Sequence, residues 1–129
     1  MTTELQMLVW SIILGLVHIL TAATASSLRR GLPWAAGPRD EPVRGLDGVA
    51  GRLERAQRNF LETFPFFAAA VLAVISLNRY SQTTEIGAQL YFWARVAYLP
   101  LYAGGVYLVR SIVWGVSLVG IVMLLVGLL

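Results

Sequence analysis

Four apolar runs, Leu5 to Ala25, Phe60 to Leu77, Ile86 to Tyr107 and Ser111 to Leu129, make up most of this 129-residue chain. Each is close to the ~20 residues that an α-helix needs to cross about 30 Å of hydrocarbon. The pattern excludes an ordinary soluble globule. Charge agrees, because 13% of the residues are charged, against roughly 25% in soluble domains. Four spans leave one loop, residues 26–59, and two short turns, so the chain reads as a single transmembrane domain over residues 1–129.

The net charge of +3 rests on ten arginines and no lysine. Seven of them, Arg29, Arg30, Arg39, Arg44, Arg52, Arg55 and Arg58, lie between the first apolar run and the second. The positive-inside bias places that loop in the cytoplasm and both termini outside, with Arg110 on the cytoplasmic side as well. Basic charge gathered in membrane loops gives no reason to expect nucleic acid as a partner. Ala23-Thr24-Ala25 resembles a small-residue cleavage site, but no basic residue precedes the apolar run, so the first span reads as a retained helix. With no cysteine in the chain, disulfides, thiolate metal sites and a cysteine nucleophile are excluded, and any thiol chemistry arrives with a ligand.

The stretch from Ser26 through Gly37-Pro38-Arg39-Asp40-Glu41-Pro42 to Gly48 carries too much Pro and Gly for a helix and is expected to be a cap. From Val49 the composition turns helical and leads directly into the second span, so that helix starts in the cytosol. Pro65 is expected to loosen or kink it near Leu61, and Pro100 removes a backbone bond to Val96 in the third span. Asn78 to Thr84 and Gly104-Gly105 are turns short enough to make the adjacent spans antiparallel. The expected fold is all-α, an integral-membrane up-down four-helix bundle.

A charge inside a membrane helix costs at least about 2.5–3.5 kcal/mol on insertion scales, so each requires a partner or a hydrated cavity. Glu62 and Arg95 are the two such residues, roughly 20 Å from Val49 and roughly 14 Å from the Gly104 turn. Those depths agree if the second helix begins about one turn deeper in the cytosol than the third ends, and an ion pair between the two residues is expected. Arg55, Arg58, Asn59 and Glu62 share a face at i, i+3, i+4 and i+7, and Arg95, Tyr98 and Tyr102 repeat that spacing on the next helix. Guanidinium forks, a carboxamide and phenols suit a small zwitterionic or anionic ligand. Blander readings stand beside this one. The arginines serve equally as surface charges, Glu62–Arg95 as interhelical glue, and Tyr91, Tyr98, Tyr102 and Tyr107 as belt aromatics, best of all Tyr107 at its turn. His18 reads as a packed or hydrogen-bonded residue and no metal is expected, because no second His or Cys completes a site. Gly15, Gly115, Gly120 and Gly127 read as positions of close helix contact.

The run Arg52-Leu53-Glu54-Arg55-Ala56-Gln57-Arg58-Asn59-Phe60-Leu61-Glu62-Thr63-Phe64-Pro65 resembles the Arg-x-x-Arg-Ala-x-x-Asn-x-x-Glu signature of the MAPEG family, the membrane-associated proteins in eicosanoid and glutathione metabolism. Ala94-Arg95-Val96-Ala97-Tyr98, Tyr102 and Arg110-Ser111 are similar to later segments of the same family, and the loop around Pro38 to Pro42 looks like bacterial members. The resemblance implies a homotrimer in a bacterial inner membrane, with glutathione in a cytoplasm-facing cleft between neighbouring subunits. It further implies that Arg30, Arg55, Arg58, Asn59, Glu62, Arg95, Tyr98 and Tyr102 hold the tripeptide. Arg110, with Ser111 beside it, is implied to favour the thiolate, since a thiol with pKa near 8.5 is mostly unreactive at neutral pH.

Two functional classes follow. In the first, a membrane transferase or peroxidase uses glutathione or a similar thiol against lipophilic electrophiles. In the second, a non-catalytic membrane protein binds lipid or a partner, and the same polar residues are structural glue. A transporter fits less well, because the strong polar groups gather toward one side of the bilayer.

Overall fold

A computed structural model of the chain describes residues 1–38 and 48–129. Five helices account for nearly all of them: α1 (Thr3–Arg30), the short α2 (Leu32–Ala36), α3 (Gly48–Leu77), α4 (Gln82–Ala103) and α5 (Tyr107–Leu128). Arg39, Arg44 and most of the loop of bacterial appearance lie outside the described residues. The cap is more helical than its composition suggests. α1 runs through Ser26 to Arg30 and stops at Gly31, whose φ of 95° breaks the helix. α2 follows with Pro33 in its first turn, where a missing N–H costs nothing.

Local chemistry sets the other ends. The Thr2 side chain accepts a bond from the Leu5 N–H at the start of α1, and Arg29 and Arg30 lie in its last turn, where cations favour the helix dipole. Ser81 and Thr84 form a reciprocal capping box on α4. Asn78, at φ 54°, takes the left-handed position in the preceding turn. α3 stays helical through Pro65, and α4 through Pro100.

α3 and α4 form the centre of the bundle. α1 packs against both from one side and α5 against both from the other, while α1 and α5 do not meet. Arg52 reaches Ala103 and Asn59 reaches Arg95, which makes α3 and α4 antiparallel, as the sequence predicts. The core is a column of fully buried Phe60, Phe67, Val71, Val74, Tyr91 and Leu124. Outward faces are apolar too, with Ile12, Leu16 and Leu20 on α1 and Ile112, Val119 and Val126 on α5 all exposed. Such a surface belongs in lipid. α1, α3 and α5 are long and apolar enough to cross a membrane. α4 has 22 residues, enough for a span, but Gln82, Glu85, Gln89 and Arg95 make it more polar.

α4 and α5 bring their backbones close together at Gly87 and Gly120. A Cβ at Gly120 would lie 2.5 Å from the Gly87 carbonyl oxygen, and one at Gly87 would lie 2.7 Å from that of Gly120. Gly15 abuts Phe60, and Gly127 abuts Thr84, in the manner expected. Gly115 does not: nothing lies within 4 Å of a Cβ built there, so the small residue at that position serves no close contact in this chain. Gly120→Ala is therefore expected to force the helices apart and lower stability by about 1–3 kcal/mol. Gly115→Ala should leave it unchanged or slightly raised. Thermal unfolding of both variants in mild detergent checks the pair.

Candidate functional site

Arg95 is a charged residue fully enclosed by the bundle, with no measurable exposure. Its Nη1 donates to Asn59 Oδ1 at 2.8 Å, its guanidinium carbon lies 4.2 Å from the Tyr98 ring centroid, and Phe60 is 5.5 Å away. Glu62 is not its partner. Asn59 and Glu62 are three residues apart, which rotates Glu62 about 60° around α3 from the Asn59 direction. Asn59 consequently meets α4, while Glu62 is exposed and has no ion pair among the described residues. The expected Glu62–Arg95 bridge gives way to an amide–guanidinium bond with cation–π support.

In front of this buried group lies a cavity of about 250 Å³ lined by Asn59, Tyr98, Tyr102, Arg110, Ser111 and Trp114. Five of these six are residues that the sequence singles out for a ligand site. They come from three helices. Tyr98 and Tyr102, one turn apart on α4, tilt toward each other with centroids 5.5 Å apart. Arg110, half-buried in the first turn of α5, lies over Tyr102 at 4.5 Å and Tyr107 at 4.7 Å, with no carboxylate beside it among the described residues. Ser111 donates to the Tyr107 carbonyl at 3.2 Å. Trp114 was not anticipated, although its place four residues after Arg110, on one helix face, was the available signal.

The remaining predicted residues lie outside the cavity. Arg30 donates to Ser26 Oγ and reaches Glu54 at 3.9 Å. Arg58 pairs with the same Glu54 at 3.3 Å across one helical turn. Arg55 is exposed. α3 therefore presents two polar faces: Asn59 turned into the bundle, and Arg55, Arg58 and Glu62 turned away from the core.

Other polar residues meet the blander expectations in part. His18 is packed, stacked on Phe60 with centroids 4.9 Å apart, but neither ring nitrogen has a hydrogen-bond partner among the described residues. Tyr91 is not a belt aromatic, being fully buried with its hydroxyl 3.0 Å from Thr63 Oγ1. Tyr107 is 75% exposed at its turn, where a belt residue belongs. Among the described residues no cluster of His, Cys, Asp and Glu could hold a metal.

Asn59→Leu removes the one hydrogen bond that a buried guanidinium makes among the described residues and is expected to cost about 1.5–3 kcal/mol. Arg58→Ala, at an exposed pair, should change stability by less than about 1 kcal/mol. Chemical denaturation in detergent distinguishes them, and equal losses would mean that Arg95 does not depend on Asn59.

The comparisons with known proteins agree with this architecture. No curated protein and no solved structure matches the chain significantly. The profile of the MAPEG family, however, matches residues 7–129, nearly the whole length and every element of the site. With apolar spans, family signature and polar cleft in one bundle, the chain belongs to the MAPEG family of integral membrane proteins.

Proposed function

We propose that this protein is a transferase or peroxidase that binds glutathione, or a similar thiol, and acts on lipophilic electrophiles drawn from the bilayer. The convergence of Asn59, Tyr98, Tyr102, Arg110 and Ser111 on one cavity carries the reading. Glutathione when bound supplies a sulfur nucleophile and reductant. The donor set suits it: a guanidinium with no carboxylate beside it and an asparagine whose oxygen is committed but whose NH2 group is unbonded, both among the described residues, together with phenols and a hydroxyl.

Arg110 would favour an anion over a neutral group in the cavity and so favour the thiolate. Ser111 offers a hydroxyl at the same mouth, and the Tyr98, Tyr102 and Trp114 rings form its walls. Among the described residues no carboxylate or imidazole lines the cavity. A proton released there passes to water rather than to a side chain.

At about 250 Å³, the cavity is just below the roughly 300–1,000 Å³ of small-molecule sites. One protomer thus provides part of a site. Arg55, Arg58 and Glu62, turned outward on α3, are suited to complete it from a neighbouring copy, and an exposed carboxylate in a membrane helix calls for such cover. This supports the homotrimer, in which Arg30 and Arg95 would be supports behind the ligand. Arg29, Arg30, Arg52, Arg55, Arg58 and Arg110 all sit toward the cavity end of the bundle, which fits a site facing the cytoplasm and termini outside.

The structural-glue reading is favoured by the Arg30–Glu54–Arg58 cluster, which the protein satisfies internally. Arg110 separates the two readings. Arg110→Ala is expected to lower thiol-transfer kcat at neutral pH about 10-fold or more, with the loss recovering as pH rises through the free-thiol pKa near 8.5. An unchanged rate, or no thermal shift of the wild-type protein with millimolar glutathione, contradicts the proposal.

A further inference from the structure

An α-helix ends with four carbonyls that lack helical partners. On α4 these belong to Pro100, Leu101, Tyr102 and Ala103. The turn satisfies three of them: the Gly104 N–H donates to Pro100 at 2.9 Å, Val106 to Leu101 at 3.0 Å, and Gly105 to Tyr102 at 3.0 Å. The fourth, Ala103, accepts from Arg52 Nε of α3 at 2.8 Å. The same side chain lies against the backbone of Gly105, where φ is 75° and an added Cβ would stand 3.8–3.9 Å from Arg52 Cδ, Nε and Cζ. Its positive charge also faces the negative end of the α4 dipole.

Among the described residues no other group donates to the Ala103 carbonyl. Val106, at the N-cap of α5, contributes no side-chain cap bond. Among the described residues the start of α5 is held by the turn itself, by Arg52 at the end of α4, and by the contact of Arg110 with the Tyr102 ring. Arg110 stands one turn further along, over Tyr102 of α4 and Tyr107 of α5. Arg52 does not line the cavity.

We infer that Arg52 is a positioning residue: it latches the α4–α5 turn to α3, and so fixes where Arg110 stands over the cavity. The role in catalysis rests on the proposed thiol chemistry, whereas the latch itself does not. A shift of about 1 Å in a group acting on the reacting atom is enough to cost rate without costing affinity.

The test compares wild type, Arg52→Gln, Arg52→Lys, Arg110→Ala and the double variant Arg52→Gln/Arg110→Ala as full-length protein in lipid nanodiscs. Amide hydrogen exchange across residues 104–110 is expected to quicken about 10-fold in Arg52→Gln, with the distant 78–81 turn unchanged. Arg52→Lys, which keeps one donor and the charge, should remain near wild type and shows that the fold survives at this position. In thiol transfer, Arg52→Gln should lower kcat at neutral pH about 10-fold and move the pH profile upward, with glutathione KM changed less than about 3-fold. The double variant should be no slower than Arg110→Ala alone.

Unchanged exchange overturns the latch. A rise in KM in place of a fall in kcat, or losses that multiply in the double variant, overturns action through Arg110. If wild type neither binds glutathione nor transfers thiols, the proposed function fails, and exchange alone then decides whether the latch exists.

Discussion

A guanidinium enclosed by a membrane bundle must bring its own solvation, and around Arg95 that solvation determines much of the architecture. Asn59 supplies an oxygen at 2.8 Å, and the Tyr98 and Phe60 rings supply π faces. These contacts bind α3 to α4 at one depth and one rotation. Once Asn59 faces α4, Phe60 and Thr63 are turned into the core, and Arg55, Arg58 and Glu62 are turned away from it. The division of the family signature between an inward and an outward face follows from turning Asn59 toward a single buried charge, whose Nη1 it accepts from while Nε and Nη2 have no hydrogen-bond partner among the described residues.

The cavity depends on the same arrangement. Tyr98 is held against Arg95 on one side and lines the cavity on the other. Tyr102 continues that wall one turn nearer the aqueous end, and Arg110 rests on it from α5. At the opposite end of the α4–α5 pair, contact between Gly87 and Gly120 keeps the two helices close. The helices are thus joined by backbone packing at one end and by charge–ring contacts at the other, with the polar cavity at the second.

Much of this was legible in the sequence, for identifiable reasons. Long apolar runs fix the number of long helices and short turns fix their antiparallel order, because a membrane leaves the backbone few other options. Helical spacing puts Tyr98 and Tyr102 on one face of α4, and the short turn brings Arg110 of α5 beside them. Helical spacing failed at Glu62, since residues at i and i+3 diverge by about 60° and spacing alone does not reveal which of them meets the next helix. The helical turn at 26–30 and α2 were missed because a Pro-Gly count ignores how well proline fits the first turn of a helix. Trp114 was overlooked among abundant apolar residues, and Arg52 passed for a surface charge because its partner is a backbone carbonyl, which no side-chain pattern displays.

The most direct test of the central claim, that these polar groups converge to receive a ligand, is an experimental structure in lipid determined with and without saturating glutathione. The account predicts ligand density bounded by Asn59, Tyr98, Tyr102 and Ser111, with the sulfur nearest Arg110. A cavity that stays empty at saturation, or density confined to another part of the molecule, would contradict it.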